Sequence, residues 1–235
     1  MPNKFAIYAY PRTGSYNLVS LLNSADDIVC HGEIFKERVI EVSKWHSQRM
    51  SGFTPEYRDQ NPVEYIQTLR SLNPYRHFGF KFFRNHVHRV PHLNHILKSD
   101  SWKKIALIRD PIEVYASIRR ANKTNVWIVN NNSGPEEKIL NQSVSFTEES
   151  WDHHVKYYSS FLKSISNLNN YIVVNYKDYS TEGQLNKILS FIGSKSDPQG
   201  LRSGTKKQFS RVLEDGFDNW DEFQAYLKKV PAPKI

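Results

Sequence analysis

The stretch Lys4–Ser15 reads KFAIYAYPRTGS and changes character halfway along. Its first part, Lys4–Tyr10, is a short apolar run of strand-forming residues, and it ends at Pro11, which predicts a β-strand entering a tight turn. Apolar residues at helical spacing then follow over Ser15–Asn23. The chain is therefore expected to pass from a strand through a five-residue turn, PRTGS, into a helix.

The turn Pro11–Ser15 has the composition of an anion-binding loop. Unpaired N–H groups and the positive dipole end of the following helix attract phosphate or sulfate. Gly14 allows close approach of the backbone, and Arg12 can neutralise an oxyanion through two hydrogen bonds. Thr13 and Ser15 can donate hydroxyl hydrogen bonds. Taken alone, the motif also fits an ordinary strand-to-helix turn that contains a glycine and an arginine.

A second candidate segment reads ALIRDPIEVYASIRR over residues 106–120. Arg109 ends a continuous apolar strand, and Pro111 occupies the first helical turn, where proline is tolerated. Ser117 follows about two helical turns after Arg109, so the two side chains can hold one anion together. The alternative is a local ion pair of Arg109 with Asp110 or Glu113, with Ser117 serving only in helix packing.

Short apolar strands alternate with helical segments along the rest of the chain. We expect further strands at Asp27–His31, Arg76–Phe83, Lys104–Arg109 and Tyr171–Tyr176. Helices are expected at Pro62–Leu72, Val90–Lys98, Pro111–Asn122, Ser145–Asn167, Gly183–Ile192 and Asp221–Lys229. This alternation predicts an α/β fold of three layers, with a central parallel sheet flanked by helices. Ligands of such sheets bind beyond the carboxyl ends of the strands, which is where both candidate segments lie.

Composition limits the classes of protein to consider. The 235 residues suit a single domain, 1–235, with insertions near residues 35–73 and 122–145. The net charge of +8 favours anionic partners, but no long run of like charges indicates a nucleic-acid-binding arm. A single cysteine, Cys30, and a start without signal-like features are typical of a cytoplasmic protein. No stable membrane insertion and no metal are expected, because the sequence has neither a spanning apolar run nor zinc-ligand spacing.

Together the two candidate segments resemble the sulfotransferases that use 3′-phosphoadenylyl sulfate (PAPS). That family carries Pro-[Lys/Arg]-[Ser/Thr]-Gly-[Ser/Thr] after its first strand and later Arg-[Asn/Asp]-Pro-x-[Asp/Glu]-x-x-x-Ser. Val173–Tyr179 and Gly216–Glu222 are similar to later family segments. The segment His31-Gly32-Glu33 is most similar to the bacterial carbohydrate (Nod-factor) type or to the tyrosyl-protein type. The resemblance implies a fold like that of P-loop NTPases, PAPS as donor, and a hydroxyl-bearing acceptor, with carbohydrate or glycolipid favoured.

The resemblance also implies a set of donor-binding residues. Arg12 and the loop amides hold the phosphosulfate, and Arg109 and Ser117 hold the 3′-phosphate. The full set implied for the donor is Arg12, Thr13, Gly14, Ser15, Tyr16, Asn17, Arg109, Ser117, Tyr176, Lys206 and Lys207. Tyr16 and Asn17 depart from the family pattern, in which many members have a second hydroxyl residue and an aromatic residue.

Sulfuryl transfer needs a base for the acceptor proton and cations for the departing phosphate. Glu33 matches the family's glutamate base, while His31 is the alternative because imidazole titrates near neutral pH. Lys81 lies on the expected third strand, where it faces either the bridging oxygen of the donor or a carboxylate in a simple salt bridge. Arg12 completes the expected catalytic set.

Two other functions stay open at this point. A P-loop nucleotide or sugar kinase needs G-x-x-x-x-G-K-[ST], which the first loop lacks. A non-enzymatic basic protein that binds nucleic acid or an anionic glycan would also account for the positive charge. The identity of the acceptor and the oligomeric state are not encoded in any motif that we identify.

Overall fold

A computed structural model describes residues 2–130, 137–205 and 212–235 of the chain. At its centre lies a five-stranded parallel sheet with the strand order β2-β3-β1-β4-β5. The strands are β1 (Lys4–Ala9), β2 (Ile28–His31), β3 (His77–Phe83), β4 (Trp102–Ile108) and β5 (Tyr171–Asn175). The predicted α/β architecture with a parallel sheet is confirmed, and each strand lies within two residues of its predicted start.

Helices connect the strands and cover the sheet. They are α1 (Ser15–Leu22), α2 (Lys44–Arg49), α3 (Pro55–Gln60), α4 (Pro62–Ser71), α5 (Arg84–Arg89), α6 (His92–Lys98), α7 (Pro111–Thr124), α8 (Glu137–Leu140), α9 (Glu148–Ile165), α10 (Glu182–Ile192) and α11 (Trp220–Leu227). Short 3₁₀ turns occupy Pro198–Gly200 and Glu214–Gly216. Helix α5 was not expected, because its six residues, RNHVHR, lack an apolar stripe. Helix α9 begins later than predicted, where the Thr147 side chain accepts a hydrogen bond from the Ser150 N–H.

Alternate residues of each strand pack into two different cores, one on each face of the sheet. On β3, Phe78, Phe80 and Phe82 are fully buried against one set of helices, together with Tyr65 of α4 and Phe161 of α9. The other face, which includes Ile7 of β1 and Leu107 of β4, packs against α1 and α10. Because successive side chains of a strand point to opposite faces, Lys81 lies on the α1 side of the sheet.

The turn between β1 and α1 has a tightly bonded backbone. Thr13 donates hydrogen bonds from both its N–H and its hydroxyl to the carbonyl of Tyr10, at 3.3 and 2.7 Å. Two residues of the turn have positive φ angles, Arg12 at 70° and Gly14 at 84°. A positive φ is costly for a side chain such as that of Arg12, and residues held in this way concentrate at functional sites.

The C-terminal segment forms a third apolar cluster against α7 and α9. Phe223 of α11 is fully buried among Tyr115, Phe146 and Trp151, and the Trp151 indole donates to the carbonyl of Val230. A bridge between Val144 and Phe217 anchors the segment upstream of α11. Within the part of the chain that the structure describes, no helix has the length and apolar character needed to cross a bilayer.

Candidate active site

A cleft of about 540 Å³ opens at the carboxyl ends of the strands. It brings together most of the residues that the sequence singles out, although they are spread over β3 and the loops or helices that follow β1, β2, β4 and β5. Those that line the cleft are Arg12, Gly14, Ser15, Tyr16, Asn17, Glu33, Lys81, Arg109, Ser117 and Tyr176. The two candidate segments of the sequence therefore form one site.

Arg12 and Arg109 join the first loop to α7 directly. The Arg12 Nε donates to the Ser117 hydroxyl at 2.9 Å, and Arg109 donates to the backbone carbonyl of Arg12 at 2.9 Å. Arg109 also bonds Glu113 at 2.8 Å, so the local ion pair considered from the sequence does form. That pair occupies the Arg109 Nε, whereas another nitrogen of the same guanidinium reaches the loop.

The same end of the cleft is strongly positive. Burial lowers the pKa of Arg12 to about 10, with a further contribution from the nearby Arg109 cation. Burial and Arg109 also lower the pKa of Arg120 to about 10. Groups of like charge that are held together out of water favour an anionic ligand that relieves their repulsion. Arg120 was not singled out from the sequence, although it lies three residues after Ser117 and hence on the same helix face.

Gly14 and Tyr176 meet at the base of this positive region. A Cβ atom added to Gly14 would lie 2.3 Å from the Tyr176 ring, which is far inside van der Waals contact. The Arg109 guanidinium carbon lies 4.1 Å from the centroid of the same ring, in cation–π geometry. Tyr176 therefore supports Arg109 and requires a residue without a side chain in the loop.

Tyr16 and Asn17, which depart from the family pattern, both have contacts at the start of α1. The Asn17 amide donates to the Ser203 hydroxyl at 2.7 Å and to the Thr205 carbonyl at 2.9 Å. Its carbonyl oxygen accepts from the Tyr179 hydroxyl. Asn17 thus tethers the segment that contains Ser203 and Thr205, while the ring of Tyr16 lies 4.3 Å from the Lys81 ammonium.

Glu33 and Lys81 form an ion pair at the other end of the cleft. The Lys81 Nζ lies 3.0 Å from one carboxylate oxygen of Glu33, and His86 Nε2 lies 3.7 Å from the other. The pair follows from the sheet register, because the Lys81 N–H bonds the carbonyl of Gly32 as β2 ends. Burial lowers the pKa of Lys81, and the Glu33 carboxylate partly offsets this by favouring the ammonium form.

The residues that sequence reasoning missed are mostly near this ion pair. Lys36, Glu41 and Asn85 line the cleft, and Lys36 bonds Glu41 at 2.7 Å. His86 lies behind Glu33 and is only 4% exposed. The sequence indicates these residues only by their positions. Lys36 and Glu41 follow Glu33 within its loop, and Asn85 and His86 come just after the end of β3.

Several predicted site residues do not reach the cleft. The Thr13 hydroxyl is fully buried and bonds Tyr10, so its expected hydrogen bond to the donor is not supported. His31 is also buried away from the cleft, with its ring 4.6 Å from that of His46 and 5.6 Å from that of Phe78. Lys206 and Lys207 lie outside the described residues. Among the described residues, no group of three or more His, Cys, Asp or Glu side chains is placed to hold a metal ion.

Comparisons with known proteins bear on the family and on the fold. A family model described as "Sulfotransferase domain" matches residues 2–214. Nodulation protein H of Rhizobium tropici is 22% identical over 241 residues, a match that covers 100% of this chain and 93% of that protein. The crystal structure of a sulfotransferase from Alicyclobacillus acidocaldarius superposes with a TM-score of 0.51 at 14% identity, covering 97% of this chain and 92% of that one.

Proposed function

Because the chain belongs to the sulfotransferase domain family, we propose that it transfers a sulfuryl group from PAPS to an acceptor hydroxyl, with Glu33 as the general base. The family membership makes the protein a transferase and sets aside the kinase and the non-enzymatic alternatives. The donor, the base and the acceptor class are inferences from the cleft.

One observation carries the proposal: the cleft has a cationic end and a carboxylate–lysine end, with the first loop between them. Arg12, Arg109 and Arg120 line the cationic end, and Glu33 and Lys81 line the other. PAPS matches this division when its 3′-phosphate lies at the cationic end and its phosphosulfate lies against the first loop, beside Lys81 and Glu33. Ser15 and Gly14, at the N-terminus of α1, supply amide groups suited to the phosphosulfate between the two ends.

The roles of the side chains follow from the chemistry of the transfer. The acceptor oxygen forms a bond to sulfur while the bond from sulfur to the bridging phosphate oxygen breaks, and the electron pair leaves on the phosphate of adenosine 3′,5′-bisphosphate. Glu33 takes the proton of the attacking hydroxyl. Lys81, 3.0 Å from Glu33, stabilises the negative charge that develops on the leaving phosphate. Arg12 holds the phosphosulfate and Arg109 with Ser117 holds the 3′-phosphate.

The acceptor side of the cleft favours a carbohydrate or glycolipid. Glu33, Lys36, Glu41 and Asn85 are polar residues at that end, and they offer both donors and acceptors of hydrogen bonds. A polyhydroxylated acceptor can exchange hydrogen bonds with several of these side chains at once, whereas a simple phenol offers a single hydroxyl group.

The test combines ligand binding with labelled transfer. We expect adenosine 3′,5′-bisphosphate to bind the wild-type protein in calorimetry, and Arg109→Ala to weaken that binding at least 10-fold, as expected for loss of a charged contact. ³⁵S-labelled PAPS is then incubated with a neutral oligosaccharide, a glycolipid, a tyrosine-containing peptide and a small phenol. Label in the saccharides supports the acceptor class, and label in the peptide or phenol contradicts it.

A separate variant tests the base. Glu33→Gln is expected to bind adenosine 3′,5′-bisphosphate as the wild type does, yet to lose at least 100-fold in transfer rate, as is typical for removal of a general base. Absence of nucleotide binding to the wild-type protein would refute the donor assignment. Full activity of Glu33→Gln would instead refute only the role of Glu33.

A further inference from the structure

His86 is held in one orientation by the helix to which it belongs. It is the third residue of α5, and its Nδ1 accepts the backbone N–H of Phe83, the residue that caps the helix, at 3.3 Å. Only an unprotonated nitrogen can accept a hydrogen bond. The proton of the neutral ring therefore resides on Nε2.

The protonated nitrogen of His86 faces the proposed base. Nε2 lies 3.7 Å from the Oε2 atom of Glu33, while the other carboxylate oxygen, Oε1, has Lys81 at 3.0 Å. The two oxygens of Glu33 thus have different neighbours: an N–H from behind the cleft and an ammonium group within it. His86 does not line the cleft, whereas Glu33 and Lys81 do.

We propose that His86 is a positioning residue for Glu33: its Nε2–H holds the Oε2 side of the carboxylate, so that Oε1 stays directed at Lys81 and the acceptor hydroxyl. The proposal rests on the role of Glu33 as general base. His86 itself touches neither the donor nor the acceptor and moves no proton.

The surroundings keep His86 neutral over the working range of the enzyme. Burial lowers its pKa to about 4, and the nearby Lys81 and Arg58 cations act in the same direction. The charged groups that face it are Lys81 of β3, Arg58 of α3, and Glu33 and Glu41 of the loop after β2.

Two variants separate this role from simple packing. His86→Leu fills a similar volume without an N–H, whereas His86→Gln retains an amide donor near the position of Nε2. We expect His86→Leu to lower kcat about 3- to 10-fold, because a contact of 3.7 Å with the carboxylate is longer and weaker than a hydrogen bond to a charged group. The KM for PAPS and the Kd for adenosine 3′,5′-bisphosphate should stay within about threefold of wild type. His86→Gln should recover most of kcat.

The pH profile gives a second readout, measured with the best acceptor from the labelled screen. In His86→Leu the acid limb of kcat should shift, because the variant removes the N–H that faces the carboxylate of the proposed base. A kcat and acid limb equal to those of the wild type in His86→Leu would overturn the proposal. So would equal losses of kcat in both variants without a shift of the acid limb, since that pattern indicates packing alone.

A measurement on the unmodified protein applies even if His86→Leu fails to fold. Long-range ¹H–¹⁵N NMR of ring-labelled histidine should show His86 as the Nε2–H tautomer between about pH 5.5 and 8, since its pKa is about 4. The Nδ1–H tautomer or an imidazolium in this range would overturn the proposal. If Glu33→Gln keeps full activity, Glu33 is not the base and the proposed function fails first. If Glu33→Gln is inactive but His86→Leu is normal, only the role of His86 fails.

Discussion

The Arg12 Nε donates a hydrogen bond of 2.9 Å to the hydroxyl of Ser117, and so joins segments that are 105 residues apart in the chain. One partner belongs to the turn after β1 and the other to the second helical turn of α7. The bond connects the two halves of the proposed donor site, and a connection of this kind reduces the ordering cost of binding.

Ser117→Ala tests whether this hydroxyl also serves the 3′-phosphate. A hydrogen bond to a charged group contributes about 1.5–3 kcal/mol, so we expect adenosine 3′,5′-bisphosphate to bind about 10-fold more weakly or worse. Calorimetry with adenosine 5′-monophosphate, which lacks the 3′-phosphate, is the control and should change little. Equal weakening of both nucleotides would mean that Ser117 acts only through Arg12.

Gly14→Ala tests the close approach of the loop to Tyr176. The glycine has a φ of 84°, and an added Cβ would lie 2.3 Å from the Tyr176 ring, so both the backbone and the ring must shift. We expect a loss of at least about 1–2 kcal/mol in stability from the backbone alone, together with weakened nucleotide binding.

Gly52→Ala is the matched control for this glycine, because an added Cβ at Gly52 meets no atom within 4 Å. Thermal unfolding of the two variants side by side checks the expectation. A Gly14→Ala protein as stable as Gly52→Ala, with unchanged nucleotide affinity, would contradict the close packing of Gly14 against Tyr176.

Arg58→Met tests what holds the loop that carries Glu33. Arg58 is fully buried, and its NH1 donates to the carbonyls of Ile34 and Val39 at 3.1 and 2.6 Å. Its removal leaves the carbonyls of Ile34, which is buried, and Val39, which is partly buried, without this donor, at about 1–3 kcal/mol for a buried group. We expect urea unfolding to show a loss of about 2–5 kcal/mol.

The exposed Arg76 offers a reference of the same residue type. Arg76→Met should change the free energy of unfolding by less than about 0.5 kcal/mol. Similar values for Arg58→Met and Arg76→Met would show that the loop holds its conformation without the buried guanidinium.

His31→Phe tests the acid stability of the fold. Burial lowers the pKa of His31 to about 3 from an unfolded value near 6.5. Below pH 6.5 the unfolded chain therefore binds a proton that the folded protein excludes, so stability is complete above that pH and is lost as the pH falls toward 3. For one histidine the loss is about 1.4 kcal/mol per pH unit.

The phenylalanine variant should flatten part of this dependence in unfolding experiments between about pH 6.5 and 4.5. The slope does not vanish, because burial also lowers the pKa values of His86 and His154 to about 4. Transfer activity should persist, since the ring lies outside the cleft. Loss of activity in His31→Phe combined with normal activity in Glu33→Gln would return the role of base to His31.

Local patterns predicted the sheet well, and they placed both candidate segments at the carboxyl ends of its strands. Apolar runs such as Ile105–Ile108 mark buried strands whatever their neighbours, and the PRTGS turn carries its own breakers and its own cation. The pattern was less informative for α5, whose six residues lack an apolar stripe; its start is stabilised by His86, which accepts the N–H of the capping residue Phe83. Tyr16 and Asn17 depart from the family pattern, and the sequence did not indicate what they contact. Tyr16 contacts Lys81 and Asn17 contacts Thr205, and both partners are far away in the chain.

The sequence by itself determined the alternation of strands and helices, the two candidate segments and the resemblance to a family, because each depends on residues that are close together in the chain. Only the tertiary structure decided which side chains meet. In the folded protein Glu33 lies beside Lys81 and His86. Thr13 and His31 lie outside the cleft. Arg120 lies near Arg12 and Arg109. The physical reason is that the role of a side chain depends on which face of the sheet it points to and on which residues pack around it. Both are properties of the assembled fold.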